Sequence, residues 1–143
     1  MLYLHNFKPN RWPSGHPLTG YLNCDGSPTK TTILSQRRNG IYYFWNLNFG
    51  KRQKEEFFDL TQDVDCINNL AKSERHFELK EELKEELFAE LREQGDPRMF
   101  GKGDVFDNYP YSGKLTDNFY QRYTSGEKIR AGWVSPDDFE KEK

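Results

Sequence analysis

Residues 55–95, EEFFDLTQDVDCINNLAKSERHFELKEELKEELFAELREQG, read as a strand, a turn and one long amphipathic helix. Phe57, Phe58 and Leu60 form a short aromatic and aliphatic run, which suits a strand at Glu55–Leu60. Thr61 to Asp65 is a polar turn, because Asp side chains bond main-chain groups two residues on. Residues 67–71 (INNLA) make a corner. From about Arg75, apolar residues fall at Leu79, Leu83, Leu87, Phe88 and Leu91, which is helical spacing. Ser73 is the expected N-cap and Gly95 the C′ residue, and Asp96-Pro97 stops the helix. Glu78–Glu82, Lys80–Lys84 and Glu81–Glu85 are like-charge i,i+4 pairs, so the helix is expected to depend on packing its leucine stripe. Its carboxylates read as a solvated face, not as a catalytic pair.

Around this stretch, Leu2–Phe7 reads as a short strand pairing antiparallel with Glu55–Leu60. Lys8–Gly20, with three prolines and two glycines, is a loop carrying Arg11, Trp12 and His16, and its plainest reading is a surface loop with Trp12 pinned into the core. Asp25 to Lys30 feeds a second, shorter helix, with Ser27 as N-cap and Pro28 at its first position, ending at Gly40. The N–H groups at its start are either satisfied by Ser27 and water or open to an anion, with Lys30 one turn inside favouring the anion. Ile41–Phe49, with five aromatic residues and no clear period, is expected to be a strand or extended segment anchored by Trp45 and Phe49. Residues 96–143 are studded with Gly, Pro, Asp and Asn but hold nine aromatic rings, and read as an extended arm whose rings dock, with its last few residues frayed. The expected fold is therefore α+β: a small antiparallel sheet packed against one long amphipathic helix, with an aromatic-rich C-terminal arm. The expected division is 1–95 and 96–143.

The 143 residues are enough for one ordinary domain. Only 34% are hydrophobic, yet 15% are aromatic, so a thin core is supplemented by large rings. A formal net charge of −2, with both signs interleaved, makes nucleic acid and anionic membrane poor partners. No stretch approaches the roughly 18 apolar residues of a spanning helix. Cys24 and Cys66 lie in no CxxC pattern and read as two unpaired thiols, with a single bridge between them as the alternative. His5, His16, Cys24 and Asp25 do not have the spacing of a zinc site, and no P-loop, G-x-S-x-G or dinucleotide fingerprint is present.

Several of these stretches together resemble the C-terminal subdomain of the sulfatase family, in its heparan N-sulfatase-like (N-sulfoglucosamine sulfohydrolase-like) branch. The residues that carry the resemblance are Tyr3–Leu4, Asn6–Pro13 (NFKPNRWP), Asp25–Lys30 (DGSPTK), and EEFFDLTQDVDCINNLA followed by a charged helix and GDPR. The likeness covers roughly residues 2–110 and departs from the family past about Tyr111. It implies a piece of a larger, exported hydrolase of sulfate esters or N-sulfates, and the N-terminal strand is expected to follow on from a preceding body. The family's formylglycine arises from C-x-P-x-R or S-x-P-x-R, and its calcium is held by acids of the catalytic domain. Neither Cys24 nor Cys66 begins such a motif. The implied partners are the catalytic domain and sulfated carbohydrate. The implied pocket-facing residues are Arg11 and Lys30 for sulfate or uronate charge, Trp12 for stacking on a sugar ring, and His16 and Asp25 for hydroxyls. A guanidinium fork binds an anion bidentately while a ring covers the apolar sugar face, which is the chemistry this substrate needs. The alternative reading is a stand-alone binding or self-assembly module. In the first case an apolar surface left bare by the missing domain is expected to drive self-association.

Overall fold

The computed structural model describes residues 1–13, 17–21, 24–110, 112–113, 117–129 and 134–140, with the side chains of residues 119 and 120 left aside. The protein is a small α+β chain of two compact units, each built from segments distant in sequence. One comprises Met1–Pro9 and Gln53–Pro110, the other Asn10–Arg52 and Tyr111–Lys143.

In the first unit, β1 (Leu2–His5) runs antiparallel to β2 (Glu55–Phe58), with Leu2 opposite Phe58 and His5 opposite Glu55. Phe57 and Phe58 are 0% and 2% exposed, so both faces of β2 are covered. The far edge of β2 is closed by the INNLA corner rather than by a third strand. Leu70 N–H donates to the Phe57 carbonyl at 2.7 Å, and the Asn69 side chain accepts from Phe57 N–H while donating to the Glu55 carbonyl. The corner is held from within by Asp63, whose carboxylate accepts from Ile67 and Asn68 N–H. A 3-10 turn (Glu74–His76) then leads into α3 (Phe77–Glu93), numbered after two helices of the second unit. Ser73 bonds the His76 ring at 2.9 Å and not the helix N–H groups. At the other end Gly95, at φ +69°, lets Asp96 N–H reach the Leu91 carbonyl and its own N–H reach that of Arg92, the six-to-one closure of a Schellman motif.

The expected leucine stripe is only part of the face that α3 turns to the ribbon. Leu79 is exposed, and the single buried residue of the helix is Lys80. Phe88 sits edge-on to His5 at 5.0 Å and stacks near Phe7 at 6.2 Å, which fixes the helix against β1.

In the second unit, α1 (Pro28–Arg38) starts where the sequence places it, with the Ser27 hydroxyl accepting from Lys30 N–H. Residues expected to be extended at 41–49 instead form α2 (Tyr43–Phe49). Trp45 and Phe49 lie four apart on one face of that helix, and this spacing outweighs the β preference of the rings. Tyr21, Leu34 and Phe49 form the core, walled by Trp12, Ile33 and Trp45. Two side-chain bonds lock the chain around it: Tyr21 Oη to the Phe49 carbonyl at 2.6 Å, and Trp45 Nε1 to the Pro17 carbonyl at 3.1 Å.

The expected extended arm is not extended in its described part. Pro97–Phe100 and Gly103–Asn108 are 3-10 turns of the first unit, and α4 (Phe119–Thr124) and Pro136–Asp138 are short helical pieces of the second. Short side chains that cap their own turns explain this. Asp96 accepts from Arg98 N–H, and Ser135 and Asp138 form a reciprocal capping box. Tyr123, Val134 and Phe139 gather round Ile129. Trp133 lies outside the described residues.

Truncating Phe57 to Ala removes a fully buried ring and is expected to cost the first unit about 3–5 kcal/mol, against less than about 0.5 kcal/mol for Val64→Ala at a position 79% exposed. Urea unfolding of the two variants checks this; equal midpoints would show that β2 is not part of a packed core.

Candidate functional site

The residues expected to face a substrate differ in exposure, and among them Asp25 lies near enough to Lys30 to bear on its charge. All of them belong to the second unit. Arg11 and Asp25 are exposed. Trp12 is half-buried, edge-on to Trp45 at 6.0 Å and with the Lys51 ammonium 5.0 Å from its ring. His16 lies outside the described residues.

Lys30 is turned inward. It is 4% exposed, and its ammonium donates to the Tyr21 carbonyl at 2.9 Å and the Cys24 carbonyl at 2.6 Å, with the Asp138 carboxylate at 3.7 Å. Asp138 is fully buried and also accepts from the Thr31 hydroxyl and Ser135 N–H. Burial lowers the pKa of Lys30, and the neighbouring Asp138 charge opposes that shift. The same surroundings push Tyr21 up to about 12, through burial first and the Cys24 thiol second. The ammonium read from sequence as an anion receiver is thus an internal strut holding α1 to the segment around Asp138. The start of α1 is crowded as well: a Cβ on Gly26 would lie 2.6 Å from Ser135 N.

Sequence reasoning passed over the other ionic centre, which lies in the first unit. The Glu55 carboxylate on β2 accepts from Tyr3 Oη on β1 at 2.9 Å and faces Lys80 and Lys84 of α3 at 3.5 and 3.2 Å. Glu81 lies 3.0 Å from Lys80 and 3.1 Å from Lys84. A signal was present: residues 80, 84, 87 and 91 share one helical seam, so both lysines belong to the leucine face. Burial pushes the Glu55 carboxyl up, but the Tyr3 hydroxyl and the two ammonium groups more than offset it, and it ends below the ordinary carboxylate value. Tyr3 is raised by burial and by Glu55; His5 is lowered by burial.

Beside this centre, still in the first unit, is an open cleft of about 490 Å3 between the end of β1 and the 3-10 turns at 97–108. Arg98 forms its floor. The guanidinium lies 4.8 Å from the Phe7 ring and 5.5 Å from the Phe106 ring, and forks onto Asp96 at 2.9 and 2.5 Å. That fork holds the Asp96 carboxyl at about 2. Lys8 on the rim pairs with Asp104 at 2.6 Å and Asp107 at 2.7 Å. With each cation matched to carboxylates, the cleft offers rings and hydrogen-bonding groups rather than a free anion receiver. Among the described residues, no group of three His, Cys, Asp or Glu could hold a metal ion, and Cys24 and Cys66 are free thiols. No described helix is long and apolar enough to cross a membrane.

The Lys30–Asp138 pair predicts strong coupling. Lys30→Met alone leaves a buried carboxylate without its cation and is expected to cost about 3–5 kcal/mol, much of which Lys30→Met/Asp138→Leu restores; a double-mutant cycle in urea measures it, and additive losses would refute the pairing. Glu55 has the sign of a depressed acid. Its stabilisation is complete above the unfolded value of about 4.3 and fades as pH falls through the lower folded value. Glu55→Gln is therefore expected to cost about 1.5–3 kcal/mol near neutrality and nothing once the carboxyl is protonated. Stability measured against pH should show the two curves meeting on the acid side.

No protein-family model matches the chain, no curated protein matches its sequence, and no solved structure matches its fold.

Proposed function

We propose that the chain is the C-terminal subdomain of a sulfatase that hydrolyses sulfate esters or N-sulfates of carbohydrate. In this reading it carries no part of the reaction itself. Calcium and formylglycine belong to a catalytic body elsewhere, and this subdomain contributes packing surface and the outer wall of the substrate pocket. Arg11, Trp12, His16 and Asp25 supply that wall, and Lys30 holds it in place from behind.

One observation carries the reading. The motifs of the resemblance are scattered over more than half of the sequence, yet those of residues 1–9 and 53–98 assemble into one interlocked unit. Tyr3 of the first motif bonds Glu55 of the EEFFDL stretch, and Asn69 of the INNLA stretch closes the strand edge beside it. Asp96 and Arg98 of GDPR form the fork under Phe7 of NFKP. Other motif residues reach outside the motifs: Lys8 pairs with Asp104 and Asp107, and Lys30 with Asp138. The bonds that do join one motif to another support the reading, because a shared subdomain needs its sequence pattern to be mutually consistent in this way.

A second reading, a stand-alone binding or self-assembly module, draws on Ile41 to Phe44 in the second unit. These four consecutive large apolar residues are 49–56% exposed, more than a monomeric surface usually leaves in one run.

The coding frame immediately upstream separates the two. The sulfatase reading expects it to be open and to encode C-x-P-S-R or its Ser counterpart. It further expects the purified 143-residue chain to leave 4-methylumbelliferyl sulfate and N-sulfoglucosamine untouched, and the longer product to hydrolyse one of them. A stop codon in frame just upstream, with no neighbouring frame carrying that motif, would overturn it.

A further inference from the structure

The hydrogen bonding of the β1–β2 ribbon leaves one of its edges unfilled. Asn6 N–H donates to the Lys54 carbonyl at 2.8 Å, so the position next to His5 and Glu55 is a hydrogen-bonded pair. Such pairs alternate along an antiparallel ladder. Leu4–Glu56 and Leu2–Phe58 are therefore of the same kind, and Tyr3–Phe57 and His5–Glu55 are not. Main-chain groups of Tyr3, His5, Glu55 and Phe57 must all point away from the ribbon. On the β2 side, Asn69 and Leu70 meet both groups of Phe57 and the carbonyl of Glu55. On the β1 side, no described residue offers a partner to the main-chain N–H or carbonyl of Tyr3 or His5. An edge of this kind is a template for another strand.

The geometry points to a second copy of this chain as that strand, joined β1 to β1 in antiparallel about a two-fold axis through Leu4. The outward groups lie symmetrically one residue to either side of Leu4, so setting Tyr3 opposite His5 of the partner subunit uses every outward N–H and carbonyl of both strands at once. Leu4 then meets its counterpart on the axis as a non-hydrogen-bonded pair, with Cα atoms about 4.5 Å apart. Leu4 is 40% exposed in the single chain, so this contact gives it the cover it lacks. No formally charged residue lies within Tyr3-Leu4-His5 to repel its copy. The interface is isologous and closes on itself, which stops growth at two chains. It does not draw on the sulfatase reading and stands or falls separately.

Sedimentation velocity of the full chain over a concentration series, with hydrogen exchange read at single amides, tests it. The expected result is a monomer–dimer equilibrium in which the Tyr3 and His5 amides slow as the dimer fills. Leu4→Lys places two ammonium groups on the axis and is expected to weaken the dimer about a hundredfold. His5→Pro removes the outward N–H while keeping the inward ladder, since proline is accepted on an edge strand facing solvent, and should weaken it about tenfold or more. His5→Ala, which keeps that N–H, should retain the dimer. Should His5→Pro fail to fold, Leu4→Lys at its exposed position still decides. A chain that stays monomeric throughout overturns the inference. So does a dimer indifferent to Leu4→Lys, which would belong to another surface such as residues 41–44.

Discussion

The first unit depends on the Glu55 carboxylate, which three elements share. β1 reaches it through the Tyr3 hydroxyl, α3 through two lysines, and it stands on β2 itself. A two-stranded ribbon is marginal in water without a further surface to pack on. Here that surface is α3, and the link at its centre is ionic and partly buried rather than apolar. Desolvating Lys80 to 9% side-chain exposure costs free energy that Glu55 and Glu81 offset only when their geometry is kept. A buried pair of this sort adds little to stability over a well-packed apolar substitute, but it penalises any slip of the helix along the ribbon. A one-residue shift of β1 would likewise carry Tyr3 to the opposite face and leave the carboxylate without its hydroxyl.

The second unit repeats the device with different parts. Lys30 lies under Gly20 and beside the core of Tyr21, Leu34 and Phe49, and Asp138 comes to it from more than a hundred residues along the chain. Gly20 stands at φ +64° with the Lys30 side chain 2.8 Å from where a Cβ would lie, so neither the turn nor the space admits another residue there. Arg38 reinforces the link by donating to the carbonyls of Asp137, Asp138 and Phe139, and Arg37 pairs with Glu140. With 34% hydrophobic residues, neither unit builds a thick apolar core. Long-range ionic contacts supply the specificity that side-chain volume alone would otherwise give.

Local signals were legible in the sequence, and they are the ones whose cause is local. Ser27-Pro28 started α1 and Gly95 ended α3 because capping is decided within a few residues. The pairing of β1 with β2 was also readable, since both runs are short, apolar and bounded by turn residues. The Ile41–Phe49 run misled because aromatic content was weighed above spacing: Trp45 and Phe49, four apart, already marked a helix face. Lys80 and Lys84 looked like solvated charges because composition, not position on the seam, was counted. Lys30 could not have been placed from sequence. Its environment depends on Asp138, and nothing in either local pattern names the other. The same holds for the 96–143 segment, where capping by Asp96 and Ser135 folds what composition alone presents as an arm.

The character of the cleft in the first unit follows from how its charges are spent. Arg98 is the residue best suited by shape to grip a sulfate or carboxylate, yet Asp96 already occupies its fork, and two rings lie near its guanidinium. An incoming anion would have to displace a carboxylate tethered two residues away, whose effective concentration is far higher than that of a free ligand. The fork is therefore a scaffold that sets the relative positions of Phe7 and Phe106. Lys8, held between Asp104 and Asp107, is spent in the same way.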